Sequence, residues 1–240
     1  DKVALTGDNY TLVYNVLSFG TAVMVGAFVY FLTQINSVAK AYRSGVAVSA
    51  VVVGIAGYHY YRMWSGFAEG QMNEGYRYAD WLITVPLLVI ELLIVLGVAN
   101  DQRKKLMLRL VPATVLMIAL GYPGEISNDQ NTQVLYGVLS TLPFLYILYV
   151  LFVELGKSLD RQPAGVAETV GRLRLLLIAT WGVYPIAYIF NIVGDASASS
   201  FVTVQVGYTL ADILAKCVFG LTILKIARMK SMAEGMKDDH

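Results

Sequence analysis

One cysteine in 240 residues cannot form an internal disulfide. The chain is therefore no disulfide scaffold, and cysteine usage leaves its redox compartment open. Histidine is nearly as scarce, at two residues. One of them, His240, is terminal, so no histidine cluster exists to hold a metal. Charge is thin as well. Asp, Glu, Lys and Arg make up 15% of the chain, against about 25% in a typical soluble domain. The formal net charge of +1 gives no basic excess for binding nucleic acid. No nucleophile–His–acid arrangement points to an enzyme. What is abundant is apolar: 57% of residues are hydrophobic, and the mean hydropathy is +0.59. That excludes disordered and collagenous chains and argues against an ordinary soluble domain.

A membrane-spanning helix needs about 20 mostly apolar residues. Seven such runs are legible: 10–32, 45–64, 76–98, 106–122, 134–155, 173–193 and 201–226. They use most of the chain, so the expected fold is an all-α bundle of seven transmembrane helices in a single domain, 1–240. The runs are too long for strands and lack a strict period of two.

The basic residues orient this bundle. Lys40 and Arg43 lie between the first two runs. Arg103, Lys104, Lys105 and Arg109 lie between the third and fourth. Lys157, Arg161, Arg172 and Arg174 lie between the fifth and sixth, and Lys225, Arg228, Lys230 and Lys237 close the chain. All of these fall on one side, and only Lys2 and Arg62 fall on the other. The positive-inside rule then predicts a cytoplasmic C-terminus and an external N-terminus in a multi-pass membrane protein. The chain starts at Asp1 without Met, as after removal of a signal peptide. The polar stretch Met229–His240 is expected to fray.

Two basic residues escape this loop pattern: Arg77, near the outer end of the third run, and Lys216, in the middle of the seventh. Ionisable groups at membrane depth are costly and mark function by default. Asp212 and Lys216 are four residues apart, hence neighbours on one helical face. Two readings stay open there. They form a structural ion pair, or Lys216 is a reactive amine able to form a Schiff base with an aldehyde. In the third run, Asp80 and Glu91 fall within roughly 20° of one face and about 16 Å apart, with Thr84 about 40° from Asp80. Two acids on one buried stripe read as stations on a proton path, or Glu91 snorkels to the inner interface. His59, in the second run, sits at the level expected for Asp80. Trp181, Tyr184 and Tyr188 share a helical stripe, with Pro185 as a bend signal. Such a stripe of rings, with Trp81, is either ordinary packing or the wall of an apolar ligand slot.

Taken together, the stretches Arg77-Tyr78-Ala79-Asp80-Trp81-Leu82-Ile83-Thr84-Val85-Pro86, Trp181-Gly182-Val183-Tyr184-Pro185 and Asp212-x-x-x-Lys216 resemble the microbial (type 1) rhodopsins over nearly the whole chain. The resemblance implies all-trans-retinal on Lys216, a counterion pair in Asp80 and Asp212, and an outer-side arginine in Arg77. It implies retinal-pocket positions at Trp81, Leu88, Trp181, Tyr184 and Tyr188, with leucine at 88 implying green absorption. The triplet Asp80, Thr84, Glu91 is similar to that of the proton-pumping proteorhodopsin and xanthorhodopsin group, and His59 matches that group's partner of the counterion. The implied activity is light-driven outward proton pumping. Asp80 would be the acceptor and Glu91 the donor, in a prokaryotic plasma membrane. The stretch Asn128–Gln133 spells motifs of other ion pumps, but it lies in the loop between the fourth and fifth runs.

Gly137 matches a position where xanthorhodopsin-like members open a lateral window for a carotenoid antenna; the alternative is close helix packing. The outer glutamate pair that releases protons in bacteriorhodopsin has no counterpart in 192–201. Expected partners are the lipid bilayer, protons, retinal and further copies of the chain in a homo-oligomer, with no nucleic acid. Two rival functions stay open: a photosensor of the same fold, and a seven-helix transporter or receptor without a chromophore.

Overall fold

A computed structural model describes residue 5, residues 7–194 and residues 197–235. Six helices, α1 (Gly7–Gln34), α2 (Lys40–Ala68), α3 (Gly75–Val95), α4 (Asn100–Ile126), α5 (Gln130–Leu159) and α6 (Val166–Val193), are each long and apolar enough to cross a membrane. A seventh rod begins as α7 (Ala198–Asp212), passes through a π-helical segment Ile213–Val218 and continues as α8 (Phe219–Ala233). Backbone torsions stay in the right-handed helical region across both junctions, so the rod is continuous. Among the described residues there is no strand.

The short connections force neighbouring rods to run antiparallel. Each rod packs on the next, and α7 returns to α1, closing a ring. Glycine makes two of the sharp exits possible. Gly97, after α3, and Gly165, before α6, have φ of 70° and 84°, a region that other residues enter only with strain. Prolines 86, 112, 123, 143 and 185 sit inside helices without ending them, as neighbouring helices permit in a membrane bundle.

The usual layering of a soluble protein is inverted. Phe19, Tyr149, Leu175 and Val193 are exposed on the outer surface, while Arg77, Asp80, Thr84, Glu91, Asp212 and Lys216 are buried. An apolar skin around polar contents matches a hydrocarbon solvent rather than water.

Several boundaries extend beyond the apolar runs. α4 starts at Asn100, so Arg103, Lys104 and Lys105 lie on its first turns rather than in a loop, and it ends at Ile126, which brings Glu125 into the helix. The stretch 128–133 is also only partly a loop. Asp129 caps α5, accepting from the Thr132 N–H at 2.8 Å, and residues 130–133 form the first turn of α5. This exposed cap holds the Asp129 carboxyl below its ordinary range, through the Thr132 hydroxyl and N–H. The C-terminal tail is helical through Ala233 instead of fraying from Met229. Its Lys230 is no solvated loop charge: it is buried and donates to the Val95 carbonyl at 2.9 Å, satisfying an acceptor near the end of α3. Lys2, Lys237 and His240 lie outside the described residues.

Candidate functional site

The site starts with the π-helical segment. A π turn inserts an extra residue into the ladder and shifts the register of the downstream turns. Lys216 lies in this segment, directly after α7 ends at Asp212. It is 1% exposed as a residue. Nζ donates to Asp212 Oδ1 at 2.5 Å and lies 3.4 Å from Asp80 Oδ2. Arg77, fully buried, donates through Nη1 to Asp212 Oδ2 at 3.3 Å. Two cations and two carboxylates thus face one another out of water, and their charges cancel. An unpaired member would be strongly destabilising in such a place.

The two carboxylates are held differently. Asp212 also accepts from Tyr60 Oη at 2.5 Å, Tyr184 Oη at 2.7 Å and Trp81 Nε1 at 3.1 Å. With Lys216 and Arg77, donors surround both of its oxygens. Asp80 has a sparser shell. Thr84 Oγ1 donates to its backbone carbonyl at 2.9 Å and lies 3.4 Å from Oδ2. His59 Nδ1 lies 3.3 Å from Asp80 Oδ1 and 3.1 Å from the Ile55 carbonyl. Both neighbours of that ring nitrogen are acceptors, so Nδ1 carries the hydrogen and donates. An ionised carboxylate accepts about four hydrogen bonds, which leaves Asp80 with capacity to spare.

Glu91 lies apart from this cluster, roughly three turns along α3. It is 0% exposed, accepts from the Ser49 hydroxyl of α2, and its Oε1 has no partner.

Beside Lys216 lies a cavity of about 380 Å³, within the range of small-molecule sites. Trp81, Leu88, Trp181, Tyr184, Pro185 and Tyr188 line it, with Lys216 contributing its amine. Gly137, Val138, Leu142 and Ile189 continue the lining. The last three are exposed on the bundle surface, so the cavity opens sideways between α5 and α6. A Cβ on Gly137 would stand 2.8 Å from Tyr188 Cε1, so the glycine also makes room for that ring. A mostly apolar slot with one buried amine fits an elongated apolar aldehyde, because an amine condenses with an aldehyde to a Schiff base, which the hydroxyls of the wall cannot do.

Every site residue read from the sequence thus falls in one of three places. Lys216, Asp80, Asp212, Arg77, Thr84 and His59 form the charge cluster. Trp81, Leu88, Trp181, Tyr184, Tyr188 and Gly137 line the cavity. Glu91 stands alone. Sequence reasoning misses Tyr60 and Ser49, and also Gln205, which accepts from Arg77 Nη2 at 2.8 Å, Tyr208, whose ring centroid lies 5.1 Å from Arg77 Cζ, and Glu125, which accepts from the Tyr208 hydroxyl at 3.2 Å. Tyr208 lies four residues before Asp212, so helical spacing alone could have placed it on the same face. Ser49 gives no signal, being a small residue in an apolar run.

Residues 11–229 match the family of bacteriorhodopsin-like proteins. The chain belongs to that family. It is a microbial rhodopsin, built as a seven-helix bundle. The structure of xanthorhodopsin, described as a light-driven ion pump with dual chromophore, is similar with a TM-score of 0.92 and 44% identity. That match covers 99% of this chain and 100% of the other. A thermophilic rhodopsin aligns with a TM-score of 0.91 and 43% identity over 97% of this chain and 98% of the other. A green-light absorbing proteorhodopsin from Gamma-proteobacterium EBAC31A08 is 29% identical over 214 residues, 88% of this chain and 84% of the relative.

Proposed function

We propose that this member of the family is a light-driven outward proton pump, with its basic-rich end in the cytoplasm of a prokaryotic cell. Lys216, with Trp81, Leu88, Trp181 and Tyr184 lining the cavity beside it, would hold retinal, which would supply absorption of visible light and the double-bond isomerisation that powers transport. The residues do the rest. In the dark, Asp80 and Asp212 balance the positive charge on the Lys216 nitrogen, and Arg77 anchors Asp212. Asp80, 3.4 Å from Lys216 Nζ, takes the proton that leaves it because it has spare acceptor capacity, whereas Asp212, though nearer, is ringed by donors. His59 holds Asp80 in place through Nδ1–H. Glu91 returns a proton to Nζ from the cytoplasmic side, and its apolar surroundings keep that side dry between turnovers.

The observation that carries this reading is the separation of two carboxyls along α3. Asp80 belongs to the charge cluster, while Glu91 is buried outside it with one hydrogen-bond donor. A sensor needs the first, and a pump with fast reprotonation needs both. Relatives with pump and proteorhodopsin names support the same reading. Cells expressing the chain with added all-trans-retinal should acidify their medium under light, and a protonophore should abolish the change. Alkalinisation would reverse the direction. A coloured protein without any pH change would favour the sensor, and no colour would favour the chromophore-free bundle.

The sideways opening at Gly137 supports a carotenoid as a second chromophore, packed against the exposed rim of the cavity. Added hydroxylated carotenoid should contribute its own vibronic peaks to the excitation spectrum of the retinal cycle. No transfer of excitation would leave Gly137 as the notch for Tyr188.

A further inference from the structure

We propose that the seam between α4 and α5, at the basic-rich end of the bundle, binds the headgroup of an anionic phospholipid. Arg109 carries the site. It stands nine residues into α4, about 14 Å along the axis from Asn100, and it is exposed. The surface around it is apolar. Leu108 beside it on α4, and Leu145 and Tyr149 flanking Tyr146 on α5, are exposed as well. A charge on such a face is costly unless it reaches the interface or meets an anion. Side chains lean toward the N-terminus of their helix, which for α4 is the basic-rich end, so Arg109 is directed to headgroup level.

Its partners leave most of its donors free. Nε donates to Tyr146 Oη at 3.0 Å, and Cζ lies 5.9 Å from the centroid of the same ring. Both described contacts of Arg109 are therefore with one uncharged side chain, and among the described residues no carboxylate pairs with it. Four other basic residues nearby are engaged. Arg103 Nη2 donates to Asn100 Oδ1 at 2.5 Å, Lys157 Nζ to Glu154 Oε1 at 3.2 Å and Arg172 Nη2 to Glu168 Oε1 at 2.5 Å. The Arg174 guanidinium lies 3.8 Å from the centroid of the Phe152 ring. Lys105 is a second open cation. It is exposed and precedes Arg109 by four residues, so the two share a face of α4, where like charges repel. Asp101, in the first turn of α4, forms no described ion pair with Lys105. An anion between Lys105 and Arg109 replaces repulsion with attraction.

A phosphodiester suits these donors. The guanidinium offers paired N–H groups to phosphate oxygens, and the Lys105 ammonium offers three more. Tyr146 Oη accepts from Arg109 through a lone pair, so its own O–H is left to donate. The apolar surroundings select the source. A free phosphate would have to leave water for a hydrocarbon-facing surface, whereas a lipid brings its phosphate together with chains that lie along Leu145 and Tyr149. Charge selects the class. A zwitterionic headgroup would bring its own cation to two cations, and an anionic one does not. Basic pockets between helices on the cytoplasmic side bind anionic lipids in this way. Such a site is independent of retinal and of pumping.

The test titrates the delipidated full chain in neutral detergent with phosphatidylglycerol and follows the adduct by native mass spectrometry. Phosphatidylcholine of the same acyl chains and inorganic phosphate serve as the two other arms. The wild type should bind phosphatidylglycerol at least about tenfold more tightly than either. Arg109→Gln should weaken that binding about fivefold, the scale of one basic residue at an anionic bilayer, and Arg109→Lys should fall between the two. Lys104→Gln removes the same charge from a neighbouring face of α4 and should change binding less than twofold. Tyr146→Phe keeps the ring, removes the hydroxyl and should weaken binding about threefold, which keeps the site testable if Arg109→Gln does not fold. Wild-type affinity in Arg109→Gln, or in Tyr146→Phe where only that variant folds, overturns the proposal. So does an equal loss in Lys104→Gln, which would mean attraction to the basic end as a whole. Equal binding of phosphatidylcholine overturns the choice of an anionic lipid, and equal binding of inorganic phosphate overturns the choice of a lipid.

Discussion

The two ends of the bundle interior differ in how they treat charge. Toward the end poor in Lys and Arg, polar groups form a connected mesh from Lys216 through Asp212 and Arg77 to Gln205, Glu74, Tyr208 and Glu125. Toward the basic-rich end other polar groups are buried too, Lys230 and Glu154 among them, but no described hydrogen bond joins them to Glu91, whose one described donor is Ser49. A mesh of fixed donors stabilises standing charge at low reorganisation cost. A buried carboxyl joined to a single hydroxyl is an insulator until something opens. The difference teaches where rectification can come from. On the pump reading, protons would leave through groups already connected and would find no such connected path back past Glu91.

The harshest way to break this contrast is to remove the charge at its centre. Lys216→Ala should abolish the visible absorption band entirely, and a surviving retinal band would sink the assignment of Lys216. Removing one partner from a buried pair costs about 3–5 kcal/mol, so circular dichroism should be read beside the spectrum to confirm the helices. Next comes the connected half. Asp80→Asn should stop transport and red-shift the band, since a counterion that stabilises the ground-state cation is lost. Photocurrent of normal size in this variant would show that Asp212 can accept the proton despite its crowded shell. The dry half should respond more gently. Glu91→Gln should slow return of the proton to Nζ by roughly 10²-fold, the scale of one general acid, and a small diffusible acid such as azide should restore it. An unchanged cycle would remove Glu91 from the path.

These regions are unequally legible in the sequence. The cluster members Asp80, Arg77, Asp212 and Lys216 stand out because ionisable residues in apolar runs are conspicuous, and helical spacing alone pairs Asp212 with Lys216. The mesh around them is largely invisible there. Spacing could put Tyr208 on the face of Asp212, but the roles of Tyr60 and Gln205, and the contact of Tyr208 with Glu125, come from meetings between rods that no spacing rule supplies. Glu125 escapes for a simpler reason: hydropathy ends the fourth span at Tyr122, before the helix does. Lys230 reads as a loop charge because a basic residue after the last apolar run usually is one. Its Nζ reaches the Val95 carbonyl instead, a tertiary contact with a different rod.

Ser49 offers the finest cut between the two halves. It is the one described hydrogen-bond donor to Glu91, whereas Asp212 has five side chains donating to it. Deleting one donor from a crowded shell is buffered by the rest, and deleting the sole donor is not. Ser49→Ala should therefore slow proton return to Nζ, because Glu91 must bear a developing charge with no hydroxyl to meet it. One hydrogen bond is worth about 1 kcal/mol net, so the step should lengthen by roughly fivefold. The rise of the Asp80-protonated state should keep its wild-type rate. Flash photolysis separates the two phases. Equal slowing of both would mean that Ser49 shapes the whole bundle, and the two halves would then not be independent.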